Sequence, residues 1–511
     1  MNKKIEPIQK NWDGYFASNP DSFMHGLNIR TADQYEKESG SWAIALLRDM
    51  ARRVPAYKDF LKKNKINPAK IKTHADFLQV PPVDKENYLR KYPLAAMCWD
   101  GVLDAPIISA SSGSSGIPSF WPRSQALEVE TTQIFEYFLK YLYGIDKQST
   151  LLVSGFAMGI YIGGTFTLNC SMRLSQKGYP LTIITPGLNK EEILASIERL
   201  HPFYDQIILG AYPPFVKDIL EEGIRRGIRW KSKNIKLFFA SEALSEELRA
   251  YLYEMIEAKP NEYYHASMNL YGTADAGVAG HETPFSIFMS KLLNENHTVR
   301  REMFGIGHAP SINQYYPPFK YFEIRNGEVL FSSAHAQIPL ARYNIHDRGK
   351  IVHFDEMLAL ARSLGWTDRE VFKAIGSSTQ WRMPFIALYG RSDFAVILSG
   401  ANIYPETIRH ALDRSEFRKL ITGKFTMLIE RDRRQDGHLA IHLECKKNIR
   451  PGAAFEKRLR EVVTASLLKE NVEYRILYEK TKARMIPRIR FWPYADPKYF
   501  SQTIKQKWIK K

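Results

Sequence analysis

Hydrophobic and polar residues follow two different patterns in the middle of the chain. Short apolar runs rich in β-branched residues predict strands, and stretches with apolar residues three and four positions apart predict helices. The predicted strands are PIISA, TLLVSGF, LTIIT, DQIILG, IKLFFA and SMNLYG. The predicted helices are EEILASIERL, FVKDILEEGI and LSEELRAYLYEMIEA. This alternation predicts a parallel or mixed sheet covered by helices, in which ligands bind beyond the carboxyl ends of the strands.

The regions on either side have other patterns. Residues 1–100 show helical spacing, as in SWAIALLRDMARRV, with prolines at the breaks, and they predict a helical lead-in. After residue 310 the segments YFEIRNGEVLFSS and GKIVHF predict a further β layer, because Asn326 and Gly327 form a strong hairpin-turn pair. The chain from residue 391 onward predicts a small α+β unit with strands KFTMLIER, LAIHLEC and EYRILYE.

These patterns predict an α/β protein of two domains. The large N-terminal domain, residues 1–390, consists of helix-covered mixed sheets plus a β layer. The small C-terminal α+β domain, residues 391–511, is expected to be mobile, with the boundary at Arg391 to Asp393. A chain of 511 residues is too long for one core, which agrees with this division.

Composition excludes several classes of protein. A hydrophobic content of 44% with 25% charged residues is that of a folded globular chain rather than a disordered one. Cys98, Cys170 and Cys445 are too few for a disulfide framework and too widely spaced for a zinc site, so we expect a reducing, cytoplasmic setting. The N-terminus lacks the apolar core of a signal peptide. Residues 151–172 are uncharged, but their glycines, serines and Asn169 favour strand, loop and helix over a membrane span.

The formal net charge of +17 is concentrated at the C-terminal end. Residues 391–511 contain 27 Lys and Arg against 14 Asp and Glu, so 27 minus 14 leaves +13 there and +4 for the rest. A basic surface favours an anionic partner, such as a nucleotide, coenzyme A, an acidic carrier protein, a nucleic acid or a membrane surface. A basic surface that serves only solubility is the alternative.

A short glycine-serine segment follows the first predicted strand of the sheet. Residues 111–118 read SSGSSGIP and precede a predicted helix that begins near Ser124. A flexible linker is one interpretation, and a loop whose amides and hydroxyls enclose a phosphate is the other. The position between strand and helix favours the phosphate interpretation. The loop is not a Walker loop, because Ile117 stands where such loops often have lysine.

Four further motifs follow this loop in order. They are FAMGIYIGG at 156–164, ASEAL at 240–244, LYGTADAG at 270–277, and PLARYNIHDRG at 339–349 leading to YGRSDFAVILSGANIYPETI at 389–408. In this order the sequence resembles the adenylate-forming superfamily of acyl-CoA synthetases and adenylation domains, most closely its phenylacetate-CoA ligase-like branch. The resemblance runs from about residue 80 to the C-terminus.

The resemblance implies an ATP site. The loop would hold the β- and γ-phosphates through Ser111, Ser112, Gly113, Ser114, Ser115 and Gly116. The residues implied to border adenine and ribose are Ser241, Glu242, Ala243, Tyr271, Gly272, Thr273, Asp347 and Arg391. Among them Tyr271 would stack on adenine, and Asp347, assisted by Arg391, would accept hydrogen bonds from the ribose diol.

Asp275 stands where the family usually has a magnesium-binding glutamate, so the resemblance implies an Mg²⁺ site with altered geometry. Ala274 replaces the Ser or Thr that usually contacts the α-phosphate. His281 and Glu282 are candidates to compensate for that loss, and ordinary surface residues are the alternative.

The segment at 156–164 resembles the stretch that lines the acyl pocket of phenylacetate-CoA ligases. Phe156, Met158 and Tyr161 would form apolar walls, with Tyr212 opposite them. Aromatic residues beside glycines are equally typical of core packing, and that interpretation stays open.

Two further roles are implied for the C-terminal domain. Asp393 matches the hinge about which this domain rotates between half-reactions, although Phe394 departs from the acidic residue usual there. The catalytic lysine of the family would be Lys505, with Lys507 as second candidate, although neither follows the usual glycine.

The predicted function is ATP-dependent activation of an aryl or other apolar carboxylic acid as acyl-AMP, with release of pyrophosphate and transfer to CoA or another thiol. The expected cofactors are ATP, Mg²⁺ and CoA, and a homodimer is possible for such enzymes. Transfer to an amine and a catalytically silent nucleotide-binding scaffold stay open as alternatives. A nucleic-acid-binding protein is not expected, because no zinc-finger spacing or RRM-type strand occurs.

Overall fold

The computed structural model describes residues 9–110, 119–241, 243–304, 309–376, 380–391, 396–403, 405–412, 414, 416–417 and 419–500. Within this part of the chain, residue contacts divide the molecule into two compact units. The larger contains Phe120–Ala211 and Val216–Ser392 together with the preceding helical region. The smaller contains Asp393–Lys511 together with Ala110–Ser119 and Tyr212–Phe215.

The helices have the following bounds: α1 Trp12–Ala17, α2 Pro20–Asn28, α3 Ala32–Arg53, α4 Pro55–Lys63, α5 His74–Gln79, α6 Leu94–Met97, α7 Gln125–Tyr143, α8 Ile162–Gln176, α9 Lys190–Leu200, α10 Pro213–Arg225, α11 Glu246–Ile256, α12 Pro284–Glu295, α13 His297–Phe304, α14 Phe354–Ser363, α15 Asp368–Ile375, α16 Pro405–Leu412, α17 Ala453–Glu470 and α18 Val472–Met485. The strands are β1 Ile107–Ala110, β2 Phe120–Arg123, β3 Thr150–Ser154, β4 Leu181–Ile184, β5 Gln206–Ala211, β6 Ile235–Ala240, β7 Ser267–Thr273, β8 Gly277–His281, β9 Ser311–Gln314, β10 Tyr321–Arg325, β11 Glu328–Ser333, β12 Leu340–Val352, β13 Phe385–Arg391, β14 Val396–Leu398, β15 Ala401–Ile403, β16 Ile421–Arg431, β17 Gly437–Cys445 and β18 Arg488–Trp492.

The larger unit is built on one mixed sheet with the strand order β10-β11-β12-β13-β9-β8-β7-β6-β5-β3-β4. Strands β3 to β7 pair in parallel, and the other pairings are antiparallel. The antiparallel half joins the parallel half through β8 and β9, where His281 is paired with Gln314. The predicted α/β class and the helix-covered mixed sheet are confirmed, and the predicted β layer is the antiparallel half.

Local signals in the sequence set the element boundaries. The Ser124 hydroxyl accepts the Leu127 backbone N–H at the start of α7, and Gly144 ends that helix in the left-handed region with φ 65°. The hairpin between β10 and β11 turns at Asn326 and Gly327, which have φ values of 53° and 78°. Both residue types tolerate positive φ, as the sequence predicted for this turn.

The helical lead-in forms as predicted and packs onto the antiparallel half of the sheet. Leu47, Met50 and Tyr57 of α3 and α4 are fully buried in one cluster with Tyr343 of β12. A second cluster covers the parallel half and includes Phe138 of α7 and Phe238 of β6. Burial of this many large side chains is the main stabilising contribution to the unit.

The smaller unit contains a β14–β15 hairpin and a three-stranded sheet with the order β16-β17-β18. The predicted strands KFTMLIER and LAIHLEC lie in β16 and β17. The prediction for EYRILYE is wrong, because residues 473–479 lie within α18. Asn471 caps this helix, and Tyr474, Leu477 and Met485 are buried at helical spacing, which outweighs the β propensity of the segment.

The uncharged stretch 151–172 is divided between β3 and α8, as the sequence predicted. Among the described residues no helix combines the length and the apolar character needed to cross a membrane. The three cysteines are buried with free thiols, and burial raises the pKa of Cys98 to about 11.

Candidate active site

Several of the predicted site residues lie at the carboxyl edge of the parallel strands. Ser241 directly follows β6, and Tyr271 to Thr273 end β7, which pairs with β6 through Ala240 and Leu270. Ser241 has a φ of 76°, and its neighbour Ala243 is exposed. Loops that follow adjacent parallel strands meet at the same edge, and this is where ligands bind in such sheets.

Tyr271 and Asp347, which are 76 residues apart, are brought into direct contact. The Tyr271 hydroxyl donates a hydrogen bond to Asp347 Oδ2 over 2.7 Å. Asp347 lies on β12, where the pairing with β13 shifts register between Asp347 and Gly349. His346 precedes it with φ 65°, so a bulge of the strand aims the carboxylate. The backbone of Asp347 is paired with that of Arg391.

Asp275 lies in the turn between β7 and β8. Its carboxylate is buried, with a relative exposure of 5%, and Oδ2 accepts a hydrogen bond of 2.5 Å from the Tyr343 hydroxyl. Asp275 Oδ1 has no hydrogen-bond partner among the described residues. The turn is held by the Thr273 hydroxyl, which accepts the Ala276 backbone N–H at 3.1 Å.

Gly272 is required by the close approach of the two strands at this turn. A Cβ at that position would lie 2.8 Å from the carbonyl oxygen of Gly277.

Asp275 has one anchored and one open carboxylate oxygen, which makes it a suitable ligand for Mg²⁺. This ion usually takes one or two protein carboxylates beside phosphate oxygens and water. No group of three or more metal-ligating side chains occurs in the described part of the chain.

The segment 156–164 connects β3 to α8. Phe156 is buried and packs edge-on against Phe238, with ring centroids 5.3 Å apart, so its ring lies in the hydrophobic core. Met158 and Tyr161 are half-buried. Gly164 fits the segment tightly, because a Cβ there would lie 2.3 Å from the carbonyl oxygen of Ala157 and 2.7 Å from the Met158 sulfur.

Tyr212 follows β5. Its ring stacks on Phe215 with centroids 5.4 Å apart, and it packs against the cluster that contains Val396 and Leu398. Tyr212 therefore packs between Phe215 and this cluster. Its placement opposite the 156–164 segment stays a prediction.

The interpretation of His281 and Glu282 as phosphate contacts or surface residues is wrong. His281 is fully buried, with Nδ1 2.7 Å from the Glu282 carbonyl oxygen and Nε2 2.8 Å from the Tyr316 hydroxyl. Burial lowers the pKa of His281 to about 4, so the ring is neutral. Glu282 accepts a hydrogen bond of 2.5 Å from Arg249, which is also buried. Both residues are structural, since the helix α12 that follows them covers this part of the sheet.

No pattern in the sequence marks Arg123, which lies at the end of β2. Its side chain is fully buried, donates to Glu128 Oε1 at 2.5 Å and to Thr165 Oγ1 at 2.7 Å, and packs 3.8 Å above the Phe166 ring. Arg123 also contacts Ser109 of β1 at 3.2 Å. It thus fixes β1, β2, α7 and α8 relative to one another. Only its position after the loop motif could have suggested such a role.

Several predicted residues lie outside the described part of the chain. These are Ser111, Ser112, Gly113, Ser114, Ser115, Gly116, Ile117, Glu242, Asp393, Phe394, Lys505 and Lys507. Their predicted roles stay predictions.

No protein-family model matches the chain, and no curated protein matches it. Solved structures do. The 2-hydroxyisobutyryl-CoA ligase in complex with 2-HIB-AMP and CoA in the thioester-forming state matches with a TM-score of 0.65 at 14% identity, covering 100% of this chain and 94% of that one. An open conformation of the same ligase with the same ligands matches with a TM-score of 0.54 at 14% identity, covering 100% and 96%. The chain therefore has the fold of this ligase.

Proposed function

We propose that the protein activates a carboxylic acid with ATP to form an acyl-AMP and pyrophosphate, and then transfers the acyl group to a thiol. The observation that carries the proposal is the grouping of Tyr271, Asp347 and Asp275 at the carboxyl edge of the parallel sheet. The ligase whose fold the chain shares was solved with 2-HIB-AMP and CoA, which supports the same two-step chemistry here.

In this proposal the aromatic ring of Tyr271 stacks on adenine and its hydroxyl orients Asp347. The Asp347 carboxylate then accepts hydrogen bonds from both ribose hydroxyls, since a carboxylate offers two acceptor oxygens. Arg391 assists from the paired position on β13. Ser241, Ala243 and Gly272 border the base, where small residues leave room for it.

Asp275 would bind Mg²⁺ through its open oxygen, while Tyr343 fixes the other oxygen. When bound, Mg²⁺ would neutralise charge on the phosphates as pyrophosphate leaves. The loop 111–116 would donate amide and hydroxyl hydrogen bonds to the same phosphates, and Lys505 would supply a cation to the carboxylate and α-phosphate. Asp393 would be the hinge between domains 1–390 and 391–511.

Met158 and Tyr161 would line the acyl pocket, because both are half-buried in the segment that connects β3 to α8. Their apolar and aromatic character favours an aryl or medium-sized acid, as in the phenylacetate-CoA ligase-like branch. CoA is the proposed thiol, and its phosphates complement the +17 net charge of the chain. The enzyme would act in the cytoplasm, and a homodimer is one assembly to test.

The test is product analysis by mass spectrometry with ATP, Mg²⁺, CoA and a panel of aryl, aliphatic and amino acids. The expected products are AMP, pyrophosphate and one acyl-CoA. If added amines gave an amide and no acyl-CoA formed, the acyl acceptor would be an amine rather than a thiol. ATP binding without any product from the whole panel would contradict the proposal and favour a silent scaffold.

A further inference from the structure

A buried carboxylate on α7 holds a lysine and a histidine that the proposed function does not use. Glu130 is fully buried, and its Oε1 accepts a hydrogen bond of 2.6 Å from Lys320 Nζ. Glu130 Oε2 lies 2.6 Å from His335 Nδ1. Both oxygens of the carboxylate therefore have a partner. Lys320 also contacts the Ser333 hydroxyl at 3.4 Å.

The protonation of this group follows from its hydrogen bonds. Burial raises the pKa of Glu130, but Lys320 and His335 together outweigh burial and hold that pKa below its usual range. The ionised carboxylate only accepts hydrogen bonds, so His335 Nδ1 carries a proton and donates it. In the tautomer that carries its proton on Nδ1, the imidazole has its lone pair on Nε2.

His335 Nε2 is the reactive end of the group. It has no hydrogen-bond partner among the described residues, and His335 keeps a relative exposure of 8%. A histidine whose Nδ1–H donates to a carboxylate, with Nε2 open, has the arrangement of a general base. The described charged groups around it are Glu130 and Lys320, and the Arg123–Glu128 pair lies closer to the start of α7.

The position of His335 connects it to the candidate site. Its carbonyl oxygen accepts a hydrogen bond from the Ser124 hydroxyl at the cap of α7, which follows the 111–118 loop. The next residue, Ala336, packs with Leu127 and Phe166, and Ile162 at the start of α8 joins this cluster. A Cβ at Gly277, two residues after Asp275, would lie 3.2 Å from Leu127. The acyl segment, through Ile162, and the Asp275 turn, through Gly277, therefore both meet the cluster that contains Ala336, the residue after His335.

We infer that His335 is the general base that deprotonates the acceptor thiol, and that Glu130 is the residue that positions it. The inference rests on the proposed function. Nε2 takes the proton from the thiol, and the sulfur forms a bond to the acyl carbon. The bond between that carbon and the phosphate oxygen breaks, and AMP leaves with the bonding electron pair. The imidazolium, stabilised by Glu130, then returns its proton to solvent.

The test separates the two half-reactions in His335→Gln. Pyrophosphate exchange into ATP, measured without acceptor, is expected to stay within about twofold of wild type. Single-turnover transfer from preformed acyl-AMP to CoA is expected to fall about 10² to 10³-fold, within the range for removal of a general base.

Glu130→Gln should retain exchange and slow transfer less than His335→Gln does. His353→Gln is the matched control, because His353 is another histidine paired with a carboxylate: its Nε2 lies 3.0 Å from Glu36 Oε1 on the surface. This variant should leave both steps unchanged. Transfer that is unaffected in His335→Gln, or a parallel loss of exchange and transfer, would overturn the inference. Absence of exchange in the wild type would instead count against the proposed function.

Discussion

The Tyr271 hydroxyl donates to Asp347 over 2.7 Å and so links the end of β7 to a bulge of β12. Each residue comes from a different half of the sheet, and the contact places an aromatic ring beside a carboxylate. This arrangement predicts separable effects on nucleotide binding. Tyr271→Phe keeps the ring and removes the hydrogen bond, so ATP affinity should fall about 3 to 10-fold, since one such bond contributes about 1 kcal/mol.

Asp347→Asn should weaken ATP binding more, by about 100-fold, because both ribose contacts lose a charged acceptor. Isothermal titration of ATP and of deoxy-ATP analogues measures both variants. The preference for ribose over deoxyribose should remain in Tyr271→Phe and disappear in Asp347→Asn. Equal affinity for both sugars in the wild type would contradict the ribose role.

Asp275 should govern the dependence on Mg²⁺. Asp275→Asn removes the charge that attracts the cation, so the Mg²⁺ concentration for half-maximal exchange should rise at least about tenfold. Tyr343→Phe keeps the Asp275 carboxylate and removes only the hydrogen bond to one of its oxygens. The Mg²⁺ concentration for half-maximal exchange should therefore rise less in this variant. Kinetics at a series of Mg²⁺ concentrations provide the measurement, and an unchanged Mg²⁺ requirement in Asp275→Asn would remove Asp275 from the metal site.

Two adjacent glycines of α8 provide a matched test of packing in the 156–164 segment. Gly164→Ala should destabilise the protein by roughly 1–3 kcal/mol and raise the KM for the acid, because the new Cβ overlaps the Ala157 carbonyl and the Met158 sulfur. Gly163→Ala meets no atom within 4 Å and should be neutral or stabilising by up to about 1 kcal/mol. Urea unfolding measures the free energy of unfolding of both variants. Equal changes would show that the close contact at Gly164 does not affect stability.

His281 predicts a specific loss of stability in mild acid. Its pKa is about 4 when folded, against 6.5 for the unperturbed group, so the unfolded state binds the proton first as the pH falls. The stabilisation is complete above pH 6.5 and is lost between about pH 6.5 and pH 4, and about 2 kcal/mol is lost by pH 5.

Urea unfolding of the wild type and His281→Gln at pH 7.5 and pH 5 measures this contribution. The variant is expected to be less stable at pH 7.5, but it should lose about 2 kcal/mol less on acidification. His25→Gln, at an exposed position on α2, is the control and should retain the wild-type pH dependence. If the free energy of unfolding of His281→Gln fell as much as that of the wild type between pH 7.5 and pH 5, other groups would account for the acid sensitivity.

The sequence predicted the elements and the edge at which the site lies, because alternating strands and helices specify where loops gather. It placed Tyr271 and Asp347 at that edge through their motifs. It did not predict that they touch each other, since a register shift in β12 aims the carboxylate and such bulges depend on strand pairing.

Other site features depend on contacts that no local pattern encodes. Glu130 and His335 are 205 residues apart and meet only through packing of α7 beside the chain that follows β11. Arg123 has no distinguishing sequence context, yet it joins four elements. EYRILYE, predicted as a strand, forms a helix because Asn471 caps it and Tyr474 and Leu477 are buried at helical spacing.

Formation of an acyl-AMP by this chain can be measured as carboxylate-dependent exchange of labelled pyrophosphate into ATP. The assay uses Mg²⁺ and a panel of aryl, aliphatic and amino acids, with Lys505→Ala as the paired variant. Exchange is expected with one class of acid, and it should be about 10² to 10³-fold slower in the variant. Measurable ATP binding without exchange for any acid would contradict acyl-AMP formation by this chain.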